Sequence, residues 1–262
     1  MKQLVAFDLD GTLADSKQAI DQEMSGLLSR LLQVAIVAVI SGGDWPQFEQ
    51  QLVGNLPKGI DFARLVLLPT SGTKLYRYDE SWQRAYGELF SEAERAHILR
   101  TLNDTVSAAG LSSDRSWGEK VEDRGSQITF SGLGQQAPLD AKRAWDPDFS
   151  KRKRLQAALG PLLPGFAVNV GGSTSIDITR EGVDKAYGIR KLAEATGVPV
   201  ADMIFVGDAL YPGGNDYPVR AAGIDTIAVR DVTETKRIIE TIVLCLGSRT
   251  IGAASAAHPS NG

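Results

Sequence analysis

Short apolar runs alternate with segments of helical periodicity at the start of the chain. Residues 3–9 and 34–40 are short and mostly apolar, which is typical of strands buried in a parallel sheet. Between them, residues 16–32 repeat apolar side chains at helical spacing and predict an amphipathic helix capped by Asp15 or Ser16. A strand, a helix and a second strand in succession predict a parallel α/β sheet.

The same rhythm returns in the last third of the chain. A helical stretch precedes the apolar run MIFVGD, which has the same form as the opening AFDLD. The elements predicted for the two ends of the chain, beyond the opening three, are a helix beginning near Pro46, a strand at 65–68, a helix at 184–196, a strand at 226–229 and a helix at 233–246.

The middle of the chain has a different pattern, with short alternating strands between turn residues. It predicts helices at 91–109 and 150–159, and strands at 120–123, 126–133, 166–170 and 174–179. These elements form an antiparallel α+β module. We therefore predict an α/β fold. A Rossmann-like parallel-sheet core is formed by residues 1–80 and 183–247, a cap is inserted at 81–182, and the tail at 248–262 is disordered.

Composition narrows the function classes. The chain of 262 residues is 43% hydrophobic and 23% charged with a net charge of −4, so we expect neither a nucleic acid nor a membrane as partner. A single cysteine and two histidines argue against a disulfide, a cysteine-rich zinc site and a Ser-His-Asp triad. The start of the chain has no signal-peptide pattern, and we expect a cytoplasmic protein.

Polar side chains follow three of the predicted strands. Asp8 and Asp10 end the first strand, Ser41 follows the second, and Asp208 ends MIFVGD. Since ligands of open parallel sheets bind at the carboxyl ends of the strands, these carboxylates should converge. Carboxylates packed together repel one another unless a cation lies between them. Oxygen ligands without histidine or cysteine favour Mg²⁺.

Such a site fits phosphoryl transfer. One carboxylate beside a metal can attack phosphorus and form an aspartyl-phosphate, and the second, two residues on, can protonate the leaving oxygen and later activate water. Ser41 and nearby backbone N–H groups can bind phosphate oxygens. Lys185 in GVDKAYG is the candidate for a further cation at the phosphate.

These residues resemble the four motifs of the haloacid dehalogenase-like hydrolase superfamily: Asp8-Leu9-Asp10-Gly11-Thr12, Ser41, Lys185, and Gly207-Asp208 with Gly214-Asn215-Asp216. In the stretches ISGGDWPQFEQQL, NVGGSTSIDITREGVDKAYGIRKL and GDALYPGGNDYPV, the chain is most similar to eukaryotic-type phosphomannomutases and related phosphosugar phosphatases with the C2B type of cap. The resemblance covers residues 3 to about 240 and is weakest at 80–120.

The resemblance implies a role for each matching residue. Asp8 is the nucleophile and a metal ligand, Asp10 is the general acid/base and offers the metal its backbone carbonyl, and Asp208 completes the metal site. The remaining implied residues are Ser41, Gly42 and Lys185 at the phosphate, Asn215 and Asp216 as support for the metal site, and Arg124, Lys142, Ser175 and Asp177 as substrate-binding residues of the cap. The family's mutases pair through their caps, which suggests a homodimer.

Two departures from the mutase pattern favour a phosphatase. Gln135 and Lys142 stand where the mutases carry arginines, and the loss of bidentate arginine contacts weakens a second phosphate clamp. We therefore expect a Mg²⁺-dependent phosphatase acting on a small phosphorylated metabolite, in particular a sugar phosphate. A phosphomannomutase-type mutase is the alternative, and a catalytically idle phosphosugar-binding module is the third hypothesis. The basic run 151–154 predicts a solvated helix face.

Overall fold

The computed structural model describes residues 2–112 and 115–255. The chain divides into two compact units at Tyr86/Gly87 and at Val183/Asp184. We call the unit formed by both ends of the chain the core unit and residues 87–183 the inserted unit.

The core unit contains a seven-stranded sheet in the order β11-β10-β1-β2-β3-β4-β5. Its strands are Leu4–Phe7 (β1), Ile36–Ile40 (β2), Leu65–Leu68 (β3), Lys74–Asp79 (β4), Ser81–Gly87 (β5), Met203–Gly207 (β10) and Thr226–Ala228 (β11). Strands β11, β10, β1, β2 and β3 are parallel, and β4 runs antiparallel to β3. The predicted parallel α/β core is confirmed.

Helices cover both faces of this sheet. They are Gln22–Val34 (α1), Trp45–Gln51 (α2), Lys185–Thr196 (α6), Tyr217–Ala221 (α7) and Val232–Ser255 (α8). Alternate strand residues face opposite ways: Val5 and Phe7 pack with α1, α2 and α8, whereas Leu4 and Ala6 pack with α6 and α7. This two-sided burial explains why the parallel strands are continuously apolar.

Two boundaries in the core unit differ from the prediction. Helix α1 begins at Gln22 and not at residue 16, because Lys17 has a φ of 62° and Asp21 caps the helix by accepting the N–H of Met24. The core unit extends beyond residue 80, because β5 pairs at the edge of its sheet.

The inserted unit combines an antiparallel four-stranded sheet, in the order β6-β7-β9-β8, with three helices. Its elements are Glu92–Ala108 (α3), Val121–Asp123 (β6), Ile128–Ser131 (β7), Leu139–Trp145 (α4), Ser150–Leu159 (α5), Phe166–Val170 (β8) and Ser175–Arg180 (β9). One face of the sheet packs on α3 and α5 through Ile128, Phe130, Ile176 and Ile178. The predicted α+β character is confirmed.

The predicted disordered tail, 248–262, overlaps α8 as far as Ser255, and its remainder lies outside the described residues. Among the described helices, none is both long and apolar enough to cross a bilayer.

Candidate active site

Two adjacent parallel strands bring the first carboxylates together. Asp8 follows β1 and Asp208 follows β10, and Phe7 is in register with Val206. The turn after β1 needs Gly11, whose φ is +87° and at which a Cβ would lie 2.5 Å from Oδ2 of Asp208. The adjacent carboxyl ends of β1 and β10 therefore bring Asp8 and Asp208 together.

The first residue of helix α6 supplies a buried cation. Asp184 caps this helix by accepting the N–H of Tyr187 at 2.7 Å. Lys185 is 2% exposed, and its Nζ lies 2.6 Å from Oδ1 of Asp8 and 2.5 Å from Oδ1 of Asp216. The ammonium thus bridges two carboxylates from opposite ends of the chain.

Three carboxylates form a cluster around this lysine. Oxygen atoms of Asp8, Asp208 and Asp216 all lie within 4.8 Å of one another. Asp216 is fully buried, and its Oδ2 also accepts the N–H of Ala209 at 3.0 Å. Its neighbour Asn215 is exposed. Asp216, predicted only as support for the metal site, is therefore a full member of the cluster.

The charges in this cluster are not balanced by Lys185 alone. Burial raises the pKa of Asp8 to about 7, Lys185 opposes this, and the charges of Asp216 and Asp208 add to it. Burial and the charge of Asp216 also raise the pKa of Asp208. Burial alone would lower the pKa of the Lys185 ammonium, but Asp216 and Asp8 outweigh it and raise that pKa. An all-oxygen donor set with excess negative charge fits a hard divalent cation.

The carboxylate of Asp10 lies outside this cluster. It accepts the N–H of Lys17 at 2.7 Å, Nε2 of Gln47 at 2.7 Å and Nε2 of Gln51 at 3.2 Å. Burial alone would raise the pKa of Asp10, but the charge of Lys17 and these hydrogen bonds outweigh it and lower that pKa. Its side chain is held as an anion, and its predicted roles as general acid and as a carbonyl ligand stay predictions.

Sequence reasoning predicted helix α2 but missed its contact with Asp10. Gln47 and Gln51 are four residues apart on α2, so both amides project from one face of that helix. The helix begins after Asp44, whose carboxylate pairs with the buried Lys74 at 2.7 Å. The spacing of the two glutamines was the signal in the sequence.

Ser41 and Gly42 lie at the same edge of the sheet, after β2. Ser41 is buried, and its Oγ accepts the N–H of Gly43 at 3.1 Å. Gly42 is half-buried, and a Cβ added there would meet nothing within 4 Å. Their role at a phosphate stays a prediction.

The substrate-binding residues predicted in the cap all belong to the inserted unit. Ser175 and Asp177 lie on one face of β9. Arg124 is buried and pairs with Glu122 at 2.6 Å, and Nζ of Lys142 donates to the carbonyl of Gln135 at 3.1 Å. Their contacts with a substrate stay predictions.

The basic run at 151–154 is only in part the solvated helix face that the sequence suggested. Lys153 and Arg154 are exposed, but Arg152 is buried and pairs with the buried Asp146 at 2.8 Å. The partner lies in the connection before α5, where charge patterning on the helix alone could not reveal it.

The chain is similar to known proteins over most of its length. The family model described as "Eukaryotic phosphomannomutase" matches residues 24–245. A phosphomannomutase of Schizosaccharomyces pombe is 26% identical over 225 residues, which cover 83% of this chain and 85% of that protein. Phosphomannomutase 1 of Mus musculus is 27% identical over 251 residues, 89% of this chain and 90% of that protein.

Solved structures share the fold at lower identity. A haloacid dehalogenase-like hydrolase from Bacteroides thetaiotaomicron superposes with a TM-score of 0.62 at 17% identity, covering 92% of this chain and all (100%) of that chain. An IMP-nucleotidase of Plasmodium falciparum superposes with a TM-score of 0.68 at 14% identity, covering 93% of this chain and 68% of that chain. With three motif positions at strand ends, a fourth at the start of α6 and a family match across most of its length, the chain belongs to the eukaryotic phosphomannomutase family of the haloacid dehalogenase-like superfamily.

Proposed function

We propose that the protein moves the phosphoryl group of a hexose phosphate as a phosphosugar mutase of the phosphomannomutase type, with Asp8 as the nucleophile. The observation that carries the proposal is the buried contact of Lys185 with Asp8, beside Asp208 and Asp216, in a chain whose relatives are named phosphomannomutases. A lysine beside a carboxylate can neutralise the charge that builds up as the two anions approach.

The residues fit a magnesium ion. Asp8 and Asp208 would hold it, with Asp216 in the same cluster and the backbone carbonyl of Asp10 as the remaining predicted ligand. When bound, Mg²⁺ would reduce the repulsion between the anionic nucleophile and the anionic phosphate.

In the proposed reaction, a carboxylate oxygen of Asp8 forms a bond to phosphorus as the bond from phosphorus to the sugar oxygen breaks. For Asp10 to act as the predicted acid, its anionic carboxylate must first take up a proton from solvent; it then gives that proton to the leaving oxygen and takes one back from the hydroxyl that next attacks the phosphorus. If the attacking hydroxyl belongs to a second position of the hexose, the product is the isomeric phosphate. If it belongs to water, the product is inorganic phosphate. Arg124, Ser175 and Asp177 would hold the rest of the substrate.

A phosphatase is the second candidate, and a specific observation favours it. Gln135 and Lys142 stand where the mutases carry arginines, and Lys142 bonds the carbonyl of Gln135. A mutase must bind a hexose bisphosphate in two orientations, and neither residue can make the bidentate hydrogen bonds to phosphate that an arginine makes.

The two candidates differ in their product. We would incubate the protein with Mg²⁺, mannose 1-phosphate and a hexose bisphosphate activator, and measure mannose 6-phosphate and free phosphate together. The proposal predicts more mannose 6-phosphate than free phosphate, with both absent in Asp8→Asn. Free phosphate in excess would establish the phosphatase. If neither product forms from any member of a broad panel of phosphate esters, an enzymatic role is refuted.

A further inference from the structure

One face of the sheet in the inserted unit is polar and largely closed to solvent. Residues of β7 and β9 that point away from the apolar core are Thr129, Ser131, Ser175, Asp177 and Thr179. Thr129, Ser131 and Thr179 are buried, and Oγ1 of Thr179 has no hydrogen-bond partner. Buried hydroxyls on one sheet face are costly unless something bonds them.

Asp177 sits in the middle of this face with one oxygen fixed. Its Oδ1 accepts Oγ1–H of Thr129 at 2.7 Å and Nε2–H of Gln127 at 3.0 Å. Gln127 is itself buried, and its Nε2 also donates to Oγ1 of Thr129 at 3.0 Å. Two donors on one oxygen hold the carboxylate in a single orientation.

The other oxygen of Asp177 faces a glycine. A Cβ added at Gly171 would lie 2.6 Å from Oδ2 of Asp177 and 3.0 Å from Oγ of Ser175. Gly171 is not among the residues with positive φ, so its backbone would accept alanine. Space, and not conformation, requires glycine here.

A buried arginine holds the turn that contains this glycine. Arg152 donates to the carbonyl of Gly171 at 3.4 Å and to the carbonyl of Gly172, while its Nε pairs with Asp146. The N–H of Gly171 donates to the carbonyl of Ser175 at 2.9 Å. The turn therefore cannot drift away from Asp177 to make room for a side chain.

We propose that Gly171 is a specificity-determining position and that Gln127 and Thr129 are positioning residues: together they present Oδ2 of Asp177 and Oγ of Ser175 to the hydroxyl groups of a polyhydroxylated phosphate ester. The proposal rests on the proposed function, and it adds which neighbours set the orientation of Asp177. A carboxylate oxygen without a donor accepts a sugar hydroxyl, and the serine hydroxyl can donate or accept.

The chain offers a matched pair of variants for the test. Gly171→Ala places a methyl group against Asp177, whereas at Gly172 the nearest atom to an added Cβ is Oγ of Ser175 at 3.7 Å, an ordinary contact. We would compare turnover of mannose 1-phosphate with hydrolysis of p-nitrophenyl phosphate, which has no sugar hydroxyls. The loss of one hydrogen bond to a charged group corresponds to about a tenfold loss or more in kcat/KM.

Gly171→Ala should lower kcat/KM for mannose 1-phosphate by that factor, chiefly through KM, relative to p-nitrophenyl phosphate. Gly172→Ala should leave the ratio of the two activities unchanged. Gln127→Leu removes the amide that donates to Asp177 and Thr129 and leaves Gly171 in place, and it should lower the ratio as Gly171→Ala does. It provides the test if Gly171→Ala fails to fold. An unchanged ratio in Gly171→Ala and Gln127→Leu, or an equal loss on both substrates, would overturn the proposal.

Binding separates this proposal from the proposed function. If the wild type does not turn over mannose 1-phosphate, the proposed function fails. Calorimetry then tests the proposal on Gly171 separately, by measuring the binding of mannose 1-phosphate to the Asp8→Asn variant with and without Gly171→Ala. Weaker binding when Gly171→Ala is added supports the proposal. Equal binding in the two variants, or no binding in either, refutes it.

Discussion

Nζ of Lys185 lies 2.6 Å from Oδ1 of Asp8, although 177 positions separate the two residues in the chain. One is the first residue of α6, and the other follows β1. Both side chains are buried, so each depends on the other for neutralisation. The contact exists only when both ends of the chain have folded into the core unit.

Lys185→Met should lower kcat by about 100-fold or more, because a preorganised cation at the developing charge is lost. Lys191→Met is the matched control on the same helix, since Lys191 pairs with the exposed Glu194 at 3.5 Å and should retain activity. Steady-state kinetics on mannose 1-phosphate and p-nitrophenyl phosphate would check this, with circular dichroism to verify the fold. Wild-type activity in Lys185→Met would remove this lysine from the mechanism.

The position of Lys185 depends on the close approach of Gly188 to Gly72, where an added Cβ would lie 2.4 Å from Cα of Gly188. A Cβ at Gly188, on α6, would lie 2.2 Å from Cδ1 of Ile40 and 2.7 Å from the carbonyl of Ser71. Gly188→Ala should therefore destabilise the protein by about 1–3 kcal/mol and lower activity by moving α6.

Gly26→Ala on α1 is the control for that substitution, because a Cβ there meets nothing within 4 Å. It should be neutral or stabilise by up to about 1 kcal/mol, since alanine is the better helix former. Urea unfolding of both variants measures the difference. Equal stability of the two would show that the packing at Gly188 is loose.

Two arginines of the inserted unit should differ in their contribution to stability. Arg152 is buried with Asp146, whereas the side chain of Arg95 is 55% exposed beside Asp123. Arg152→Met should cost about 3–5 kcal/mol, because it leaves a buried carboxylate unpaired, whereas Arg95→Met should leave the stability nearly unchanged, because an exposed ion pair contributes little. Chemical denaturation followed by tryptophan fluorescence would measure both, and similar losses would contradict the burial of the first pair.

Magnesium should stabilise the folded protein through the carboxylate cluster. At a concentration one hundred times its Kd, a bound ion adds about 2.7 kcal/mol to the free energy of unfolding, which thermal unfolding with and without chelator would detect. Asp208→Asn should abolish this gain and should raise Tm in chelator, since it relieves repulsion from Asp216. Glu194→Gln, at an exposed pair, should keep the gain, and a gain retained in Asp208→Asn would place the ion elsewhere.

The core of the site could be predicted because it obeys a general rule. Asp8, Ser41 and Asp208 each follow an apolar parallel strand, and the carboxyl ends of neighbouring parallel strands share an edge. Lys185 could be predicted at the site only because the other motifs occur in the same sequence, since a lysine at a helix start is ordinarily solvated.

What the sequence did not reveal depends on contacts between distant side chains or on irregular segments. The burial of Arg152 follows from Asp146, which lies outside any regular element. The anchoring of Asp10 follows from two glutamines on a helix whose facing side could not be assigned beforehand. The constraint on Gly171 comes from Asp177 across a turn, whereas the glycine pair alone suggested only a tight strand entry.

The most direct test of the proposed chemistry is whether phosphate becomes covalently attached to Asp8. The protein would be mixed with Mg²⁺ and mannose 1-phosphate carrying a radiolabelled phosphate, quenched in acid, digested and mapped by peptide. We predict label on the peptide that contains Asp8 in the wild type and none in Asp8→Asn. Label retained in Asp8→Asn, or a wild type that turns the substrate over with label on another residue, would contradict the assignment of Asp8 as the nucleophile.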